Sequence, residues 1–355
     1  VANMVVDNNS RISLSNNDSG DRNTVFGYDA GLSMHASSTD NTFIGHRVSD
    51  ATMTATADYN TAVGGESMSA LTSGNGNTAV GYGSMTSNSQ GNNNTGIGVN
   101  SLTNVSTTHN NTALGLNAGN YTQGADNTYV GYYAGKGTAG ADANNVGVGS
   151  NALLAITDGT HNVAVGYYSG VNLTTGDDNV MLGKSAGNAF NSSNVVAVGS
   201  NALAAITSAD ADGTVAIGKS ALAANTEGQY STAIGFSSLN ANQTGDGCTA
   251  VGYNSLLLST NNDNTAMGRE SLASNVGGAS NTGLGIYAGF GNATGSANVY
   301  VGSSAGKGVA NNNNSNNVGI GMDAMVAVTT GSSNVAIGKL ASAAITSGNE
   351  NTVVG

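Results

Sequence analysis

The stretch "NTAVGYGSM", residues 77–85, is one copy of a motif that recurs along the whole chain. The copies, aligned on the glycine that closes Asn-Thr-Ala-Val-Gly, number 20 and are spaced 16 to 19 residues apart, mostly 17. About 17 residues are too few for a helical hairpin and enough for two short strands with two turns. One copy therefore predicts one coil of a β-solenoid. The closing glycines are Gly27, Gly45, Gly64, Gly81, Gly98, Gly115, Gly131, Gly149, Gly166, Gly183, Gly199, Gly218, Gly235, Gly252, Gly268, Gly285, Gly302, Gly321, Gly338 and Gly355.

The motif alternates in side-chain chemistry with the period of a β-strand. Its second position is Thr or Val, and its fourth is aliphatic, Met or Phe, as at Thr78 and Val80. We expect both positions to point into the coil, where each buried aliphatic side chain contributes roughly 1.5–3 kcal/mol. The sequence thus predicts an all-β fold, a parallel β-solenoid or β-roll of about 20 coils, in which no coil is stable alone.

The third position of the motif is small, although solvated strand faces favour larger polar residues. We expect this position to face outward and to form the contact face between chains, with three chains side by side. Val25, Phe43, Tyr129, Met181, Tyr300 and Val353 depart from the pattern and predict that the interface widens locally or that these side chains fill gaps in it. An alternative is that small residues are only tolerated on a solvated face. The predicted contact face is Ala62, Ala79, Gly96, Ala113, Gly147, Ala164, Ala197, Ala216, Ala233, Ala250, Ala266, Gly283, Gly319 and Ala336.

The first position is Asn in 16 of the 20 copies. Stacked coils would place these amides about 4.7–4.9 Å apart, close enough to form a ladder of hydrogen bonds. Val195, Thr214, Ser231 and Cys248 interrupt it in four consecutive copies. A second, shorter strand is expected after the closing glycine, and a further glycine before the asparagine supplies the positive φ of a return turn. The predicted ladder includes Asn60, Asn77, Asn94, Asn111, Asn162, Asn179, Asn264, Asn281, Asn298 and Asn334.

Charge, cysteine content and hydrophobicity exclude several classes of protein. The formal net charge is −12, and the nine Lys and Arg residues are scattered, so we expect no nucleic-acid binding. Cys248 is the single cysteine, which excludes an intrachain disulfide framework. No apolar run reaches the length of a membrane-spanning helix. The first residues, "VANMVVDNNS", lack the pattern of a secretory signal, so we expect either a removed signal or another route out of the cell.

The motif resembles the short Asn-Ser/Thr-Val/Ala-Ala-Ile/Val-Gly repeat of trimeric autotransporter adhesin heads, which similar repeats in bacteriophage fibre proteins share. The resemblance covers residues 23–355, and "DNNSRISLSNNDSGDRNTVFGY", residues 7–28, looks similar to the start of repeat proteins in marine phage virions. The repeat period is longer here, which implies larger loops.

This resemblance implies a homotrimeric structural fibre or adhesin shaft on a virion or an extracellular surface. It implies contacts with other virion or cell-surface components and with a host-surface glycan or protein. Residues 1–22 are expected to form an N-terminal cap or attachment segment, and residues 23–355 the repeat domain. The chain stops at Gly355, in the middle of a repeat, so we expect further sequence beyond it.

Two other hypotheses remain open. A bacterial cell-surface trimeric adhesin would carry a signal, a heptad stalk and a barrel anchor; their absence from this sequence favours the phage fibre. An ice-binding solenoid would present a flat outward array of Thr. Here Thr shares its column with Val at Val146, Val163, Val180 and Val318, which is typical of a buried site.

We find no pattern that predicts catalysis, a cofactor or a metal. His35, His46, His109 and His161 fall in different coils without a second ligand. Acidic clusters at Asp177-Asp178, Asp210 with Asp212 and Asn262-Asp263 leave open weak cation sites, but not a regular calcium solenoid. No set of Ser, His and Asp or of paired carboxylates indicates an active site.

Aromatic residues follow the closing glycine in several copies. Tyrosine rings can stack on sugars or on protein surfaces, so these residues are candidates for surface recognition. The alternative is that they stack on one another along the flank of the solenoid. They are Tyr28, Tyr82, Tyr132, Tyr133, Tyr167, Tyr168, Phe236, Tyr253 and Tyr287.

Overall fold

The computed structural model of the chain describes residues 22–188, 191–205, 211–309 and 311–355. Within them lie 20 strands of three residues each and no helix. They are β1 Thr24–Phe26, β2 Thr42–Ile44, β3 Thr61–Val63, β4 Thr78–Val80, β5 Thr95–Ile97, β6 Thr112–Leu114, β7 Thr128–Val130, β8 Val146–Val148, β9 Val163–Val165, β10 Val180–Leu182, β11 Val196–Val198, β12 Val215–Ile217, β13 Thr232–Ile234, β14 Thr249–Val251, β15 Thr265–Met267, β16 Thr282–Leu284, β17 Val299–Val301, β18 Val318–Ile320, β19 Val335–Ile337 and β20 Thr352–Val354.

The chain forms two compact units, divided after Asp158. Strands β1 to β8 belong to the first and β9 to β20 to the second. Within each unit every strand pairs in parallel with the next strand in the chain, and equivalent motif positions lie opposite each other, as in Thr61↔Thr78 and Ala62↔Ala79. The predicted parallel β-solenoid is confirmed. Of the expected N-terminal segment, only Arg22 lies in the described part of the chain.

The third position of the motif points into the coil, not outward as the sequence analysis expected. Ala79 and Ala233 are fully buried within the single chain, while their strand neighbours in the second and fourth positions are half-buried or exposed. The predicted contact face is therefore wrong, and so is the predicted inward direction of the second and fourth positions. The residues placed in the interior are Ala62, Ala79, Gly96, Ala113, Gly147, Ala164, Ala197, Ala216, Ala233, Ala250, Ala266, Gly283, Gly319 and Ala336.

The narrowness of the coil explains why this position is small. A Cβ placed on Gly96 would lie 2.9 Å from the Ser84 hydroxyl, 3.0 Å from the Ser101 hydroxyl and 3.1 Å from the terminal methyl carbon of Met85. Those three side chains come from the return half of the coil, where Ala or Ser and then Leu or Met follow the closing glycine. At this point strand and return segment lie so close that a large side chain fits on one of them but not on both.

Four coils place the large side chain on the strand instead. Phe43, Tyr129, Met181 and Tyr300 occupy the third position and are fully buried, so they fill the interior and do not widen an interface. Glycine compensates for each of them. The residue four places after the closing glycine is elsewhere mostly Leu or Met. In the eight coils that precede or contain a large third residue it is Ser49 in the coil of Phe43 and glycine in the other seven: Gly31, Gly119, Gly135, Gly170, Gly187, Gly289 and Gly306.

The Asn ladder is confirmed. Asn77 donates from its backbone N (3.0 Å) and from Nδ2 (3.1 Å) to Oδ1 of Asn60, and its own Oδ1 accepts the same two bonds from Asn94. Nδ2 of Asn77 also donates to the carbonyl oxygen of Gly91 in the adjacent return loop (2.7 Å). Every side-chain polar atom of this buried residue is thus satisfied, and each amide ties a strand to a neighbouring loop. Equivalent bonds join all the predicted ladder residues to neighbouring asparagines.

The ladder is weaker where Asn is replaced. Val195 donates its backbone N–H to Oδ1 of Asn179, but its apolar side chain offers no acceptor to the next coil. The hydroxyl of Thr214 is buried without a partner, whereas the hydroxyl of Ser231 accepts from the backbone N of Cys248 (3.2 Å). The stretch with the four substitutions therefore lacks the reciprocal amide pairs that hold the other coils.

A second ladder, which the sequence analysis missed, lies two residues before the first. Here the backbone N of one coil donates to a polar side chain of the following coil, as from Asp58 to Asn75 (2.7 Å) and from Asn75 to Asn92 (2.7 Å). We call this the outer ladder, because most of its side chains are partly or fully exposed. Asp, Asn or Ser at this position is the sequence signal that could have revealed it.

The return half of each coil consists of turns, so the predicted second strand is wrong. Leu102 and Leu239 in this segment have φ of +48° and +49°, in the left-handed region. The return-loop glycines are needed for a different reason than expected. Gly331 has no positive φ, but a Cβ there would lie 2.5 Å from the carbonyl oxygen of Gly348. The closing glycines combine both constraints: Gly131 has φ +137°, and a Cβ there would lie 2.5 Å from the carbonyl oxygen of Gly149.

Candidate functional site

The outward strand face is the surface most unlike that of an ordinary soluble protein. We define it as the second and fourth motif positions of a unit. Neither position holds a charged residue in any copy: the second is Thr or Val, and the fourth is Val, Ile, Leu, Met or Phe. Large apolar side chains such as Ile234 and Met267 remain 38% and 51% exposed. Contiguous exposed apolar surface of this kind marks a site of interaction.

The residue after each closing glycine extends this face. We call this column the trailing edge. Among the predicted recognition aromatics, Tyr28, Tyr82, Tyr132, Tyr167, Phe236 and Tyr253 lie there, and all are exposed. Tyr133, Tyr168 and Tyr287 lie one residue further on, are half-buried, and have φ between +56° and +58°. The structure therefore places the nine predicted residues in two adjacent columns.

The trailing-edge rings stack on neighbouring coils. Tyr28 stacks on His46 with ring centroids 5.7 Å apart, and Phe236 stacks on Tyr253 at 5.6 Å. The Tyr82 ring lies against the backbone of Gly65, and its hydroxyl donates to Oε2 of Glu66 (3.1 Å). These contacts support the alternative interpretation, in which the rings cover the flank of the solenoid.

Cations accompany several of these aromatic residues. Nζ of Lys219 lies 5.8 Å from the ring centroid of Phe236, and Nζ of Lys136 lies 4.8 Å from that of Tyr133. Tyr287 has two cations near its ring: the Arg269 guanidinium at 4.8 Å, which also donates to the tyrosine hydroxyl (2.9 Å), and Nζ of Lys307 at 5.1 Å. Each such contact contributes about 0.5–1 kcal/mol at an exposed site, so they order the surface side chains.

Several of the predicted polar candidates accept hydrogen bonds from backbone N–H groups. Oδ1 of Asp177 accepts from the backbone N of Thr160 (2.6 Å), and Nδ1 of His109 accepts from that of Asn92 (2.9 Å). Both belong to the outer ladder. Asp210 lies outside the described residues. Within the described ranges, no group of three or more His, Cys, Asp or Glu side chains is arranged to hold a metal ion, and no helix could cross a membrane.

Two buried titratable groups lie inside the coils. The Tyr129 hydroxyl donates to Oδ2 of Asp142 (2.6 Å), and burial raises the pKa of this carboxyl to about 7, although that hydrogen bond opposes the shift. Burial likewise raises the pKa of the Cys248 thiol to about 11. The second buried tyrosine, Tyr300, donates to the neutral Oδ1 of Asn314 (2.5 Å). The Asp142 carboxyl therefore keeps its proton to a higher pH than an exposed aspartate, whereas Asn314 at the equivalent position is an amide and does not titrate.

Comparison with known proteins adds no assignment to this geometry. The chain matches none of the models of known protein families, and no curated protein is similar to it.

Proposed function

We propose that this chain is the shaft of a homotrimeric structural fibre that performs or presents attachment to a surface. The observation that carries the proposal is the outward strand face, which is free of charge in a chain whose net charge is −12. Monomeric soluble proteins rarely leave such a surface in water. Covering it with the same face of other copies would remove the aliphatic fourth-position side chains from solvent, at about 25 cal/mol per Å².

The number of copies comes from the resemblance to trimeric adhesin heads. Three parallel solenoids around one axis would enclose their outward faces and leave the return loops in solvent. Recognition of a glycan or a protein would then fall to loops and to aromatic side chains that the assembly leaves accessible. The chain would be a virion fibre or, as the alternative, a bacterial surface adhesin. Identification of the gene's flanking sequences would distinguish the two.

The mass of the full chain in solution tests the assembly. Sedimentation velocity should give about three chains per particle at micromolar concentration. Ile234→Glu should dissociate the particle, because a carboxylate would be buried in the interface. Val276→Glu is the matched control: Val276 is an aliphatic residue with similar exposure, 46%, on a return loop. A monomeric wild-type chain, or equal effects of the two substitutions, would contradict the proposal.

One observation favours a second candidate, an ice-binding solenoid. The sequence analysis placed the Thr column in the interior, but the structure places it on the outward face, where seven consecutive strands of the first unit, β1 to β7, present Thr. The large exposed rings of Tyr28 and Tyr82 border this array, whereas a flat ice-binding face needs Thr alone, which is why we place this function second. The candidate requires the wild-type chain to show thermal hysteresis that Thr95→Tyr abolishes; no hysteresis would exclude it.

A further inference from the structure

The two edges of the outward strand face differ in charge in the second unit. The trailing edge, defined above, carries Lys184, Lys219, Arg269 and Lys339 and no acidic residue. We call the column just before the first motif position the leading edge. In the second unit it carries Asp178, Asp263 and Glu350 and no Lys or Arg. Four of the nine Lys and Arg residues of the whole chain thus lie on one edge of one face.

Opposite charges occur at the two ends of the same coil. Asp178 and Lys184 flank the strand β10, and Asp263 and Arg269 flank the strand β15. All four side chains are exposed. The members of each pair are six residues apart and lie beyond opposite ends of a three-residue strand. Neither pair forms an ion pair within its own coil.

No ion pair in the described part of the chain uses these residues. The two that occur there join Arg22 to Asp40 (2.6 Å) and Arg47 to Asp50 (2.9 Å), both in the first unit. Other charged groups stand near each member. Asp177, next to Asp178, is held by the outer ladder through Oδ1; Glu270 follows Arg269, whose guanidinium lies over Tyr287. Lys184 and Asp178 retain their full hydrogen-bonding capacity for a partner outside the coil.

We propose that the trailing edge of one copy binds the leading edge of the next at the same coil, with Lys184 against the neighbouring copy's Asp178 and Arg269 against its Asp263. The inference rests on the proposed assembly and adds its orientation and register. Rotation about an axis parallel to the stack of coils brings opposite edges of equivalent coils together. An antiparallel face-to-face arrangement would place cationic edge against cationic edge. Charge complementarity therefore selects parallel copies without axial displacement.

Charge reversal in the full-length chain tests this arrangement. The variants are Lys184→Glu with Arg269→Glu, Asp178→Lys with Asp263→Lys, and the combination of all four. The leading edge accepts long side chains in its left-handed conformation, as Tyr59 (φ +60°) and Glu350 (φ +57°) show. The measurement is the dissociation constant of the assembly from sedimentation, at about 0.05 M and about 0.5 M NaCl, with circular dichroism to verify folding.

Each double variant should raise the dissociation constant at least about tenfold at low salt, because like charges would meet at every interface. The fourfold variant should return toward the wild-type value, and high salt should reduce all differences. The control is Lys136→Glu, compared with Lys184→Glu alone: it makes the same change in net charge on a return loop of the first unit, away from both edges, and should have no effect.

The outcomes separate this inference from the proposed function. If the wild-type chain assembles but the double variants do so equally well, or if the fourfold variant is as weak as the doubles, the edge pairing is wrong and the assembly stands. If the wild-type chain is monomeric, both are wrong. If a lysine on the leading edge prevents folding, the variant Lys184→Gln with Arg269→Gln still tests the edge pairing. Loss of the cations alone should weaken assembly and lessen its salt dependence.

Discussion

The ring of Tyr129 occupies the space that a side chain at residue 135 would fill, so that a Cβ on Gly135 would overlap it. The same relation joins Tyr300 to Gly306. Both glycines have a positive φ, but Leu239 adopts nearly the same φ, +49° against +53° for Gly135, in a coil whose third position is Ala233. Space, not backbone conformation, therefore requires glycine opposite a tyrosine. Strand and return segment share one fixed interior volume per coil.

This sharing predicts a double-mutant cycle. Tyr129→Ala should destabilise the chain by about 3–5 kcal/mol through the cavity it leaves. Gly135→Leu should destabilise it through overpacking, by about 1–3 kcal/mol or more. The double variant recreates the Ala233 and Leu239 pair and should be more stable than either single variant. The free energy of unfolding from urea denaturation measures the coupling; additive losses would show that the two residues do not share the space.

The buried Tyr129 and Asp142 pair predicts a dependence of stability on pH. In the folded chain burial raises the pKa of the Asp142 carboxyl to about 7, from 3.8 for an exposed aspartate. The folded state therefore binds more protons between about pH 4 and pH 7, and the free energy of unfolding should decrease as pH rises through that window. Above it this contribution is constant.

Asp142→Asn should remove that part of the pH dependence, because it recreates the neutral pair of Tyr300 and Asn314. At pH 8 the variant should gain less free energy of unfolding than wild type loses between pH 4 and pH 8. The reason is that Nδ2 of Asn314 is buried without a partner, and an amide at residue 142 would have the same unsatisfied group. Chemical denaturation at pH 4, 6 and 8 measures both effects. An unchanged slope in the variant would locate the titration elsewhere.

Two asparagines separated by one residue differ in what they hold. Asn77 is buried and makes amide bonds to Asn60, Asn94 and Gly91, whereas Asn75 contributes one acceptor to the outer ladder. Asn77→Ala leaves buried hydrogen-bonding groups without a partner and should lower the free energy of unfolding by about 2–4 kcal/mol. Asn75→Ala should lower it by about 1 kcal/mol or less. Equal losses in thermal or urea unfolding would mean that the inner ladder is no stronger than the outer one.

Cys248 should be unreactive in the folded protein. Burial raises its pKa to about 11, and its Sγ contacts the carbonyl oxygen of Asn261 (3.1 Å), so little thiolate exists at pH 8. A disulfide reagent should label the native chain far more slowly than the urea-unfolded chain, and the labelling rate should follow the opening of that coil. Rapid labelling of the folded chain would contradict the buried position.

The first motif position was correctly interpreted from the sequence because an asparagine repeated at every coil favours one arrangement, a ladder of amide hydrogen bonds. An amide repeated at each coil finds both a donor and an acceptor in the next, and the bonds of Asn77 show this pairing. The outer ladder was missed because several residue types can form it. Asn75, His109 and Asp177 all accept a hydrogen bond from the backbone N–H of the preceding coil, although they are three different amino acids.

The period, the parallel strands and the Asn ladder followed from the sequence alone, since each is a consequence of identical short segments stacked in register. Which strand face is inside did not. Alternation shows that Thr78 and Val80 share one face and that Ala79 lies on the other, but both faces lack charge, so polarity does not orient them. Only the tertiary structure decided this: Ala79 is buried, and on the same face a Cβ at Gly96 would already lie 2.9 Å from the Ser84 hydroxyl of the return segment, so the inner face is the one that must be small.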